Sequence, residues 1–121
     1  MIRRSLLRFA RGPAGGRLLR FALRHIAAIL PVRKVCFSKH LIAFHHPVPV
    51  YPTHILIVPL PPLDGLDSVD PDDTALLAGV LRTAHEIAGR LDLPPGRRLV
   101  VNGGRFQEVG VLHFHLISSE K

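Results

Sequence analysis

Beyond Pro31 the chain holds one stretch with the length and composition of a sizeable helix, and short β-rich runs stand on both sides of it. Asp70, Pro71, Asp72 and Asp73 mark its start, with a capping side chain, a proline at the first helical position and acids favoured by the helix dipole. It is expected to run to about Leu91, where LDLPPG ends it. Before it, VRKVCFS and KHLIAFHH read as a hairpin, and the three prolines of HPVPVYP forbid regular structure. HILIVPL, from His54 to Leu60, then reads as a buried strand. After the helix, RRLVVNGG reads as a strand entering a glycine turn and EVGVLHFHLIS as the last strand. Strands around one long helix imply an α+β domain: a mostly antiparallel sheet with the helix packed on it. A chain of 121 residues suffices for one such core and not for two full domains.

The formal charge of +7 divides unevenly along the chain. Residues 1 to 39 carry ten of the sixteen Lys and Arg, and the first acid is Asp64; from residue 40 onward six basic residues face nine acidic ones. The basic character therefore belongs to an N-terminal arm, residues 1 to 30, and not to the domain that follows at 31 to 121. Within the arm, Arg17, Arg20 and Arg24 fall on one side of a helix at 17 to 30, and Leu18, Leu19, Leu23, Ile26, Ile29 and Leu30 on the other. Such a helix packs on its own domain or a dimer mate, or makes peripheral contact with an anionic membrane. The same arginines argue against a spanning helix and against a secretory core, although an acid-free, Arg-rich start is shared by mitochondrial transit peptides. Cys36 is the sole cysteine, so a reducing, cytoplasmic setting is expected, with membrane association through the arm as a variant of it. Tryptophan is absent and Tyr51 is the only tyrosine, which leaves little for stacking on nucleic acid, and no specific nucleic-acid partner is expected.

In the last strand Val111, His113, His115 and Ile117 share one face, and Leu112, Phe114 and Leu116 share the other. Two imidazoles thus project together from a strand whose opposite face is apolar. Imidazole suits phosphorus chemistry: near pH 7 it is substantially neutral, it is nucleophilic enough to form a phosphoramidate, and it can act as general acid or base.

Here the sequence resembles the histidine-triad (HIT) family, whose signature alternates histidine and apolar residues. AFHHPVPVYPTHILIVPL (43 to 60) is similar to the family's nucleotide-pocket segment, and VVNGGRFQEVGVLHFHLIS (100 to 118) to its asparagine, glycine turn, glutamine and triad strand. With the helix between them the resemblance spans roughly residues 31 to 118. It implies a HIT-like fold and a nucleotide phosphoramidase or dinucleoside polyphosphate hydrolase working through a nucleotidyl-histidine. It makes His113 the nucleophile on the α-phosphorus and His115 a charge-stabilising partner at the phosphate, with His54 supporting both imidazoles from behind. Asn102 and Gln107 would hold phosphate oxygens or the leaving group, and Phe44, His45 and His46 would border the base and ribose. The implied partners are a purine nucleotide or nucleotide conjugate, AMP among them, and a second copy in a homodimer. No cofactor and no metal are expected. A metal reading would use His45, His46, His54, His113 and His115 as ligands, but the motifs bring no thiolate or carboxylate beside them. The glycines of NGGRF either cradle phosphate through backbone amides or make a simple tight turn.

The chain departs from the family pattern twice. Val111 stands where the first histidine of the triad is expected; it keeps a backbone carbonyl for the nucleophile's second nitrogen but supplies no proton relay. Restoring histidine there is expected to raise the chemical rate if that group is limiting. His46 stands where many relatives carry an acid that binds ribose hydroxyls, and a histidine accepts one hydrogen bond at most. The competing functional reading is therefore a catalytically weakened nucleotide-binding or regulatory HIT protein. His25, His40 and His85 are expected to be solvated.

Overall fold

A computed structural model describes residues 33–121. The helix expected at 17 to 30 lies outside the described residues. The chain first reverses at Ser38, whose Oγ accepts from the backbone N–H of His40 at 3.3 Å and of Leu41 at 3.2 Å. This closes a hairpin of β1 (Lys34–Phe37) and β2 (Leu41–His45). β3 (Thr53–Pro59) pairs with β2, α1 (Thr74–Arg90) follows, and β4 (Arg98–Val101) and β5 (Phe114–Ser118) complete the sheet. The strand order is β1-β2-β3-β5-β4 and every pairing is antiparallel. β5 thus returns between β3 and β4, which puts the C-terminal histidines in the middle of the sheet.

Alternation along the strands sorts the apolar residues onto two faces. On one, Val80, Ala84 and Ile87 of α1, spaced for a single helical stripe, pack on Leu41, Ala43, Ile55, Ile57, Leu112, Phe114 and Leu116. On the other, Ile42, Phe44, Val58 and Val111 form a smaller cluster. Ile55, Ile57, Ile87 and Leu112 are fully buried. Each such side chain contributes roughly 1.5–3 kcal/mol against roughly 1 for a typical hydrogen bond, so the helix-on-sheet core fixes the strand positions that the polar face inherits. Arg90 adds a tie from the end of α1 to the edge of the sheet, donating to the Val35 carbonyl at 2.7 Å. Among the described residues no helix is long and apolar enough to cross a membrane.

Two boundaries differ from the sequence expectation. The cap of α1 is Asp73, whose Oδ1 accepts from the N–H of Leu76 at 3.0 Å; Asp70 instead accepts from Asp72 at 2.9 Å in a turn before the helix, and Pro71 sits in that turn. With aspartates at three of four positions, the one that caps is the one three residues before an unpaired helical N–H. The last strand begins at Phe114 and not within the EVGV segment. Continuing the register past the Ile57–Phe114 pair would set Leu112 opposite Pro59, which has no N–H for the Leu112 carbonyl, and the Leu112 N–H is itself turned out of the ladder to the Leu63 carbonyl at 2.8 Å.

The capping assignment gives an expected outcome. Asp73→Ala should lower the unfolding free energy by about 1 kcal/mol, and Asp70→Ala by clearly less. Urea denaturation of the two variants checks this, and the reverse ranking would refute Asp73 as the cap.

Candidate active site

The polar face of the sheet gathers four histidines from three places in the chain. His54 is the second residue of β3, and His115 lies in β5 with Leu56 of β3 as its cross-strand partner. His113 directly precedes β5, and His46 directly follows β2, its N–H donating to the His54 carbonyl at 2.8 Å. Ring centroids are 4.2 Å apart for His46 and His54, 5.4 Å for His54 and His115, and 4.8 Å for His113 and His115. Tyr51 meets His54 edge-on at 5.6 Å. His54 and His113 are buried, and His46 and His115 half-buried.

Hydrogen bonds determine what each ring can do. A backbone N–H can only donate, so His54 Nδ1 accepts from Val50 at 3.1 Å and His46 Nδ1 accepts from Val48 at 2.9 Å. The neutral His54 ring therefore carries its proton on Nε2 and donates it to His115 Nδ1 at 3.1 Å. That leaves His115 with an Nε2–H as its outward donor. A carbonyl can only accept, so His113 Nδ1 is the donor in its 2.8 Å bond to the Val111 carbonyl, and the lone pair of the neutral ring is on Nε2. Burial and mutual repulsion disfavour charge on His46, His54 and His115. Burial first, then His46 and His115, push His54 down to about 4. Burial first, then His113 and His46, push His115 down to about 4 against an opposing pull from Glu108. His46 is lowered by burial and by His113, again against Glu108.

A model of the HIT domain matches residues 28–121, which is most of the chain. The chain belongs to the HIT family. An uncharacterised HIT-like protein of Synechocystis sp. is 41% identical over 87 residues, covering 72% of this chain and 75% of that one. A HIT family hydrolase from Legionella pneumophila is 33% identical with a TM-score of 0.73, covering 84% and 92% of the two chains. A histidine triad protein from Clostridium difficile is 28% identical with a TM-score of 0.72, covering 78% and 85%. The HIT fold expected from the two motif segments is the fold found.

Of the residues singled out in the sequence, this HIT chain brings His46, His54, His113 and His115 together. Phe44 shares their face but is buried against Ile42, Val58 and Val111, as part of the wall beneath them. His45 is not brought in. It pairs with Ile55, a residue of the core under α1, so alternation puts it on the opposite side of the sheet from Phe44. Asn102 directly follows β4, one residue beyond the Val101–Phe114 pair, which sets it beside His113 in the register. Gln107 spends its Nε2 hydrogens on the carbonyls of Asp64 at 2.7 Å and Val109 at 2.9 Å, which stitches the segment after β3 to the approach to β5. Gly103 and Gly104 make the tight turn, with Phe106 and Gln107 donating back to their carbonyls, and Gly104 adopts a φ of 56° that favours glycine. His40 and His85 are exposed, as expected. A cavity of about 580 Å³ between α1 and the ends of β2 and β3, lined by His40, Pro59, Asp73 and Arg82 among others, lies on the helix side and contains none of the four histidines.

Sequence reasoning missed Val48, Val50 and Glu108. The proline spacing carried a signal for the valines, because Pro47, Pro49 and Pro52 have no N–H and leave few donors in that loop. The structure also corrects two readings. His46 has its acceptor nitrogen occupied by Val48, so the hydrogen-bonding group left on its neutral ring is the Nε2–H donor. Val111 is 2% exposed and packs among Ile42, Phe44 and Val58; it belongs to the wall and does not open onto the site. None of those neighbouring side chains can hydrogen-bond a ring. Val111→His is therefore expected to lower stability by about 2 kcal/mol or more, from overpacking and an unpaired polar group, with no gain in rate. Thermal denaturation together with turnover decides the point, and unchanged stability with a faster rate would restore the original expectation.

Proposed function

We propose that this protein is a nucleotidyl hydrolase of the phosphoramidase or dinucleoside polyphosphate hydrolase type, acting on a purine nucleotide conjugate. The observation that carries the reading is the 2.8 Å bond from His113 Nδ1–H to the Val111 carbonyl, which leaves the Nε2 lone pair free for attack. His113 Nε2 forms a bond to the α-phosphorus as the bond to the leaving group breaks, and the leaving group departs with the electron pair. The ring, now cationic, keeps its Nδ1–H on the Val111 carbonyl. His115 Nε2–H, oriented through His54, donates to a phosphoryl oxygen as charge develops there. Water then attacks phosphorus and gives up a proton to solvent, the N–P bond breaks with its pair returning to Nε2, and a nucleoside monophosphate is released. Because the first triad position holds Val111, the leaving group takes its proton from solvent.

That last point favours a second reading, a binding or regulatory protein with weak turnover. The burial of Val111 among apolar side chains supports it, since no proton donor occupies that position. One experiment separates the two. With adenosine 5′-phosphoramidate, wild type should turn over and form a nucleotidyl adduct on His113, seen by mass spectrometry after rapid quenching. His113→Ala should retain its circular dichroism and lose at least about 10³-fold in rate. Full activity in the variant contradicts a histidine nucleophile, and binding without turnover in wild type supports the second reading.

A further inference from the structure

The loop between β2 and β3 is short of donors, and two of those it has go to imidazoles. Pro47, Pro49 and Pro52 carry no N–H, which leaves His46, Val48, Val50 and Tyr51, and the His46 N–H is bonded to the His54 carbonyl. Val48 donates to His46 Nδ1 and Val50 to His54 Nδ1. Both rings are thereby held as Nε2–H tautomers, because protonating Nδ1 would set two donors against each other. The two histidines then differ in what they do with that proton. His54 gives it to His115 inside the cluster. His46 lies against the face of His54, with centroids 4.2 Å apart and planes at 31°, an arrangement that stacks the rings and does not direct its Nε2–H at its neighbour. Its half-buried ring also stands within electrostatic reach of His113.

We propose that His46 is a specificity-determining residue of this site, whose Nε2–H binds an anionic oxygen of the nucleotide phosphate. The inference rests on the nucleotide reading above and extends it. A site with two Nε2–H donors, on His46 and His115, around the lone pair of His113 offers phosphate oxygens more than one partner. Hydrogen bonds to an ionised acceptor are roughly twice as strong as those between neutral groups, so a phosphate oxygen outcompetes a sugar hydroxyl for the His46 proton. The site thus selects for the charge of the ligand through His46, and the sugar gains little from it.

Calorimetric titration with AMP and with adenosine, which differ only in the phosphate, tests this on the full-length protein and two variants. His46→Phe keeps a ring against His54 and removes the donor; His46→Gln keeps an amide N–H in place of Nε2–H. AMP affinity should fall about tenfold in His46→Phe and recover to within about threefold of wild type in His46→Gln, while adenosine affinity changes by less than about twofold in either. AMP affinity unchanged in His46→Phe, or an equal loss for AMP and adenosine, overturns the inference and leaves the nucleotide reading standing. Should His46→Phe fail to fold, His46→Leu takes its place, with the same loss of about tenfold in AMP affinity expected and an unchanged affinity overturning the inference; AMP binding no tighter than adenosine in wild type overturns it as well. Wild type that binds neither ligand at millimolar concentration overturns the nucleotide reading and the inference with it.

Discussion

A neutral imidazole has one donor and one acceptor, and in this cluster the backbone decides which is which. Two N–H groups, of Val48 and Val50, and one carbonyl, of Val111, bond to the Nδ1 atoms of His46, His54 and His113. Through the His54–His115 bond those three contacts fix all four rings. The lowered proton affinities of His54 and His115 have the same origin, because buried rings crowded by one another cannot afford a charge. The chemistry open to the site follows from these contacts more than from the number of histidines present.

The sheet makes the contacts possible. β5 lies between β3 and β4, so His115 meets both neighbours while His113 remains just outside the ladder, free to turn its Nδ1 back onto the carbonyl two residues earlier. The departure from strand geometry at Leu112 is part of this arrangement: Pro59 across the ladder has no N–H for the Leu112 carbonyl, and the Leu112 N–H bonds Leu63. Val111, the apparent gap in the triad, contributes its carbonyl to the site and its side chain to the wall formed with Ile42, Phe44 and Val58. The unfolded chain binds more protons than the folded one between pH 6.5 and about 4, the range in which His54 and His115 titrate apart in the two states. Their contribution to stability is accordingly complete above pH 6.5 and is lost as pH falls toward 4.

Much of this was legible in the residues. Period-two alternation separated His113 and His115 from Leu112, Phe114 and Leu116, and the two motif segments pointed to the HIT fold before any geometry was known. The same alternation separates His45 from the pocket, since it follows Phe44 on β2 and pairs with Ile55 of the helix-side core. Other features depend on partners distant in sequence. The start of β5 falls where Pro59 of β3 has no N–H to offer across the ladder, and the burial of Val111 depends on side chains from β2 and β3. The donors to His46 and His54 were half visible: proline spacing shows which residues retain an N–H, while the acceptors appear only once the loop is folded. The cap at Asp73 in preference to Asp70 was a choice among near-equivalent local signals.

The central claim is the arrangement of protons, and a long-range proton–nitrogen correlation spectrum of the imidazoles in the wild-type protein near neutral pH tests it most directly. It should show His46, His54 and His115 as neutral Nε2–H tautomers and His113 as the Nδ1–H tautomer. A spectrum in which His113 carries its proton on Nε2, or His54 on Nδ1, would contradict it.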